Sequence, residues 1–134
     1  TLSILYRVKR DDVFQDTEMI TNGTLFQAKD IEKLVKVKTN RILLSIDGPD
    51  AQTHDKIRGV KGAFRKATRS FRYFNKVKNS YNIDKPVIQV NSVLNNINYN
   101  KIIENFKIKK EILFFKFNQF SINIFIFSFF SCHF

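Results

Sequence analysis

With 134 residues, the chain is long enough for one modest domain and too short for several. Against 12 Asp and Glu stand 23 Lys and Arg, a formal charge of +11 that suits nucleic acid or an anionic membrane but establishes neither. The single cysteine, Cys132, excludes an internal disulfide framework and any CxxC-type metal site.

No secretory or transit signal is visible at the start, and the first residue is Thr1 rather than Met. The expectation is a chain that begins inside a longer reading frame. Leu2 to Val8 is a short apolar-rich segment, the end of a helix or of a strand, with helix favoured. Lys9 to Asp12 reads as a charged loop. Thr17 to Thr21 reads as a strand, and Asn22-Gly23-Thr24 closes it with a turn signature. The next segment is helical, so a strand-to-helix loop fits better there than a hairpin. Lys29-Asp30 opens a helix whose apolar positions Ile31, Leu34, Val35 and Val37 form one stripe. Thr39-Asn40 ends it.

Arg41-Ile42-Leu43-Leu44 is an apolar run too short for helical periodicity and reads as a buried strand. Gly48-Pro49 stops that strand, because proline cannot donate to the ladder. Asp50 caps a short helix from Ala51 to Ile57, and Gly59 offers a left-handed stop. Ser45 and Asp47, two residues apart, share a face at the carboxyl end of the strand. Arg58 returns toward that end after the short helix. In parallel α/β folds this is where ligands bind; an ordinary strand–turn–helix junction would show the same residues.

Gly62 to about Tyr81 is the longest helix, with Phe64, Ala67, Phe71, Phe74, Val77 and Tyr81 stepping by three and four. Arg65, Lys66, Arg69, Arg72, Lys76 and Lys78 occupy the other face, with no acid. Asn82 to Pro86 is a loop. Val87 to Leu94 is a β-branched strand, and Asn98 to about Lys107 a helix with Ile102, Ile103 and Phe106. Strands alternating with helices imply parallel βαβ units. Three parallel strands leave open edges and uncovered faces, so the segment reads as the middle of a larger barrel or sheet.

Ile112 to Phe134 differs in kind. It holds nine of the 15 Phe, mixed with Ile, Asn, Ser and Lys, the residue types that AT-rich codons encode. A membrane span is one reading, interrupted by Lys116, Asn118, Gln119 and Asn123. A β-prone low-complexity segment is a second. Translation outside the true frame is the favoured third. The division is therefore a domain over residues 1–110 and an irregular Phe-rich tail over 111–134. His133 beside Cys132 makes no metal site.

Four stretches together resemble the radical S-adenosylmethionine (radical SAM) enzymes. Ile20 to Leu25 resembles their TNGT strand end, and Ser45-Ile46-Asp47-Gly48 their S-L/I-D-G strand end. His54-Asp55-Lys56-Ile57-Arg58-Gly59 with Gly62-Ala63-Phe64 is similar to their HD-x-I-R-G…G-x-F segment. Val90 to Leu94 with Asn98 resembles the next strand. The resemblance runs from about residue 15 to residue 105 and is nearest the sulfatase-maturing and peptide-modifying, SPASM-like branch.

The resemblance implies the central part, about three βα units, of a parallel (β/α)6 partial TIM barrel. It implies an enzyme that cleaves S-adenosylmethionine reductively at a [4Fe–4S] cluster and so generates a 5′-deoxyadenosyl radical, for peptide or protein modification. By the same likeness Ser45 and Arg58 would hold the methionyl carboxylate, Asn91 would reach the ribose or carboxylate, and Val93 and Leu94 would line the adenine. Asp47 and Thr21 would touch cofactor or substrate, or order their loops. Asn22 and Asn91 have an alternative as loop residues, and His54 as a helix-surface or loop-ordering residue. The implied partners are a reductant such as flavodoxin or ferredoxin and a peptide or protein substrate, in the cytoplasm. The chain departs from the family in lacking CxxxCxxC, since cluster iron needs thiolates, and in lacking the glycine-rich segment that holds the amino group. It is expected to be a catalytically inactive fragment by itself. The alternatives are a basic nucleic-acid-binding module, which no RRM, KH or zinc-finger pattern supports, and membrane association through the tail; neither partner is expected.

Overall fold

A computed structural model of the chain describes residues 2–101 and 122–126, the last five through their backbone alone. Its elements are α1 (Leu2–Arg10), β1 (Glu18–Thr21), α2 (Ala28–Lys36), β2 (Arg41–Ser45), α3 (Ala51–Arg58), α4 (Ala63–Tyr81), β3 (Val87–Leu94), a 3-10 turn (Tyr99–Lys101) and β4 (Ile122–Ile126). All strand pairs are parallel, in the order β1-β2-β3-β4. The α/β alternation expected from the sequence is therefore present. The charged loop is shorter than expected, because α1 continues to Arg10.

One face of the sheet meets the helices. Ile42, Leu44 and Ile46 beside Ile88 and Val90 pack on Ile31, Leu34 and Val35 of α2 and on Ala67, Phe71, Phe74 and Val77 of α4. The helical stripes are the ones their spacing predicts, with three exceptions, the first being Val37, half-buried just past the end of α2. Tyr81 is 45% exposed and lies beneath the Lys36 amine, 5.0 Å from its ring centroid. Lys78, assigned to the outer basic face, is buried instead. It stands seven residues after Phe71 and four after Phe74, on the apolar face, and its Nζ donates to the Pro86 carbonyl at 2.8 Å. Arg65, Lys66, Arg69, Arg72 and Lys76 are exposed as expected.

Local signals explain the ends of the elements. Asp50 in extended backbone accepts from Thr53 N at 2.6 Å and starts α3. Gly59 at φ +67° ends it. Gly62, which starts α4, has no side chain to cap with. The cap comes from α3: Asp55 accepts from Gly62 N at 2.5 Å and from Phe64 N at 2.8 Å. These two backbone bonds, Phe64 N first and then Gly62 N, hold the Asp55 carboxyl below its ordinary range.

In the C-terminal third one expectation lies mostly outside the described residues and one needs correction. Only Tyr99–Lys101 of the helix expected after Asn98 is described, as a 3-10 turn, and Ile102, Ile103 and Phe106 lie outside the described residues. Within the stretch expected to be irregular, Ile122–Ile126 forms a parallel strand against Val90 to Leu94. Isoleucine and phenylalanine suit a pleated strand, and the absence of punctuating turn residues hides its ends in the sequence. The domain boundary at 110, the rest of the tail, Cys132 and His133 lie outside the described residues. Among the described residues no helix is long and apolar enough to cross a membrane.

Candidate functional site

The carboxyl ends of β2 and β3 and the loop that leaves β2 carry most of the candidate site residues. Ser45 and Asn91 are register partners. Ile46 N donates to the Asn91 carbonyl at 2.9 Å, and Ser92 Oγ to the Ile46 carbonyl at 2.7 Å. The ladder thus continues one residue past Ser45 and keeps the two strand ends side by side. Leu44 and Val90 join the helix-facing core, so their neighbours Ser45 and Asn91 turn to the other face. Val93 shares the phase of Asn91, whereas Leu94 has the opposite phase.

Asp47 is the hub of the loop, with a side chain only 4% exposed. Its Oδ2 meets Arg58 Nη2 at 2.7 Å, and its Oδ1 accepts from Val93 N at 3.0 Å. Its own N–H donates to His54 Nδ1 at 3.0 Å, and its carbonyl accepts from Asn98 Nδ2 at 2.6 Å. Every polar group of Asp47 is engaged. Arg58 is correspondingly not a free guanidinium: one nitrogen is held by Asp47, while its side chain stays one-third exposed. The ion pair ties the end of α3 to the strand ends, and the remaining guanidinium donors are left for another acceptor.

Gly48 lets α3 come this close. A Cβ there would stand 2.6 Å from His54 N and 2.8 Å from Thr53 Cβ. Asn98, fully buried, also donates Nδ2 to the Val93 carbonyl at 2.8 Å and accepts from Asn95 N at 2.8 Å. Lys101 Nζ reaches Asp50 Oδ2 at 3.3 Å and Thr53 Oγ1 at 3.0 Å. His54 is buried rather than on the helix surface, because its ring turns back to the Asp47 N–H. Burial first, and the Arg58 charge further, push its pKa down, against the pull of Asp47 and Asp55.

Thr21 stands apart. β1 pairs with β2 so that Thr21 faces Leu44 rather than Ser45, which puts it in the helix-facing phase. Its Oγ1 accepts from Gly23 N at 3.2 Å. Asn22 Oδ1 accepts from Thr24 N at 3.1 Å and Thr24 Oγ1 at 2.9 Å. The TNGT stretch is a self-bonded turn, the alternative foreseen for Asn22.

Two groups at the rim lack partners among the described residues. Asn91 Oδ1 is buried with none, and the Ser45 hydroxyl makes no hydrogen bond. A buried acceptor without a donor costs about 1–3 kcal/mol, so Asn91 suits a ligand that brings a hydroxyl or an ammonium. A ligand carrying an anion as well would find the free donors of Arg58 and the Ser45 hydroxyl beside it. Among the described residues no group of three or more His, Cys, Asp or Glu converges.

No family model matches the chain. It is 34% identical over 94 residues to the AdoMet-dependent heme synthase of Methanosarcina barkeri, covering 70% of this chain and 25% of that protein. It is 36% identical over 73 residues to the AdoMet-dependent heme synthase of Nitratidesulfovibrio vulgaris, covering 54% of this chain and 20% of that protein. The fold matches Streptococcus suis SuiB bound to S-adenosylmethionine with a TM-score of 0.67 at 22% identity, over 92% of this chain and 26% of SuiB. It matches anSMEcpe with bound AdoMet with a TM-score of 0.60 at 25% identity, over 80% of this chain and 27% of that one. The chain therefore spans about a quarter of the length of the proteins it resembles.

Proposed function

Because this chain belongs to the radical S-adenosylmethionine enzyme family, as part of the core domain, we propose that the rim at Ser45, Asn91 and Arg58 is its share of the S-adenosylmethionine site. The observation that carries this reading is the buried Asn91 Oδ1, unpartnered among the described residues, in register with Ser45. An adenosyl ribose offers hydroxyl donors to the first, and a methionyl carboxylate offers acceptors to Ser45 and to the free donors of Arg58. Val93 lines the same face and would meet the adenosine; Leu94 would meet it only from the sheet's other side. Asp47 acts at one remove, holding Arg58 toward the rim. Thr21 we assign to its turn.

The sheet is read as the middle of a partial (β/α)6 barrel, which covers the face that carries Ser45. In the intact enzyme a [4Fe–4S] cluster would supply the electron that cleaves the bound sulfonium to a 5′-deoxyadenosyl radical. This chain does not fit the cluster, since a single cysteine cannot supply its thiolate set. No step of that cleavage is assigned to residues here, and the chain by itself is proposed to be inactive. A cytoplasmic flavodoxin- or ferredoxin-like donor and a peptide substrate complete the reading at family level.

Titration of the 134-residue chain with S-adenosylmethionine tests the rim. Ser45→Ala and Asn91→Ala should each weaken binding by about tenfold, the worth of one hydrogen bond in a partly desolvated site. Thr21→Ala should leave the affinity unchanged. Equal affinities for all four proteins would remove the rim from the site.

A further inference from the structure

We infer that His54 is a positioning residue for this rim, its unprotonated Nδ1 accepting the Asp47 N–H and so fixing the carboxylate that presents Arg58. The inference rests on the rim reading for its consequence, but its geometry stands alone. His54 is 1% exposed. Its Nδ1 lies 3.0 Å from Asp47 N, so in the neutral ring the proton sits on Nε2. Among the described residues Nε2 is buried with no hydrogen-bond partner, and the ring leans on Phe64 with centroids 5.8 Å apart.

As a packing residue, imidazole is a poor choice here. An apolar side chain of similar size would fill the space against Phe64 and leave no unsatisfied N–H. What imidazole adds is an acceptor for a backbone N–H. Asn98 secures the carbonyl of the same residue from the other side, at 2.6 Å. His54 and Asn98 thus grip Asp47 by its backbone, leaving its carboxylate to Arg58 and Val93 N.

Protonation would turn Nδ1 into a donor facing another donor and break the grip. The groups around His54 are Asp47 in the loop, Asp55 and Arg58 on α3, and Phe64 on α4. The two acids attract the proton; Arg58 and burial oppose it, and the balance favours the neutral ring. Since the folded pKa lies below the unfolded value of about 6.5, the grip is complete above that value. It is lost as the pH falls through the folded pKa.

The test uses the 15N-labelled 134-residue chain between pH 8 and pH 5. Ring 15N shifts should report an Nε2–H tautomer at the upper end. Exchange protection of the Asp47 amide should fall about tenfold as His54 titrates, with affinity for S-adenosylmethionine falling in parallel. His54→Phe should lose that protection and affinity at every pH. His54→Asn, whose amide oxygen can stand in for Nδ1, should rescue most of both and abolish the pH step. Full Asp47 protection in His54→Phe, or an unaltered pH step in His54→Asn, would overturn the inference. If Asp47 protection follows His54 as expected while no variant and no pH gives S-adenosylmethionine binding, the positioning role stands and the rim reading falls.

Discussion

Asp47→Ala should be among the most damaging single changes at the rim, destabilising the chain by about 2–3 kcal/mol. The carboxylate is almost fully buried and serves two donors, Arg58 and Val93 N. Its removal leaves a backbone N–H without its acceptor and a guanidinium without its counter-ion. Losing one partner of a fully buried pair costs about 3–5 kcal/mol. Arg58 is one-third exposed and recovers part of that from water. Urea unfolding would show the loss as a lower midpoint at constant slope. Asp47→Asn, which keeps an acceptor for Val93 N, should lose less. A midpoint that did not move in Asp47→Ala would mean the loop is held by Asn98 and His54 alone.

Gly48→Ala should be comparably severe for a different reason. The added methyl would lie 2.6 Å from His54 N and 2.8 Å from Thr53 Cβ. The first obstacle is backbone, so no rotamer change relieves it and the first turn of α3 must move. Overpacking of this kind costs about 1–3 kcal/mol, with the upper end expected where backbone yields. Gly62→Ala is the control. Nothing lies within 4 Å of its Cβ position, and only its φ of +83° opposes a side chain, a strain of about 1 kcal/mol. Unfolding midpoints should rank Gly48→Ala below Gly62→Ala, and the opposite order would refute the close approach of α3. Because α3 carries His54 and Arg58, Gly48→Ala should also lower affinity for S-adenosylmethionine.

These residues also mark how far the sequence could be read. Asp50, Gly59 and the stripe of α4 were legible because capping and periodicity are local. Ser45 was legible as a strand end, whereas Asn91 entered only through the resemblance. The pairing of β1 with β2 was not, because nothing local specifies register. A displacement of one residue places Thr21 opposite Leu44 rather than Ser45 and reverses its face. Lys78 was misassigned because its charge outweighed its position in the helical period, and its bond to the Pro86 carbonyl accompanies its burial. The partner of Arg58 was equally hidden. A guanidinium eleven residues after Asp47 could serve a ligand or that carboxylate, and the fold joins it to the carboxylate. Asp55 as the cap of α4 had one indirect signal, a helix opening on Gly62 with no capping side chain of its own. Asn98 had none beyond its place in the resemblance. The strand at Ile122–Ile126 lacked the bounding turn residues from which strands are read.

The central claim is that S-adenosylmethionine rests on the carboxyl ends of β2 and β3. Backbone amide shifts of the 15N-labelled chain, monitored through a titration with S-adenosylmethionine, test it most directly. The account predicts that the largest changes fall on Ser45, Ile46, Asn91 and Val93, with smaller ones at Arg58, and that the exposed face of α4 is silent. Changes gathered on Arg65 to Lys76 instead, or none at saturating ligand, would contradict it.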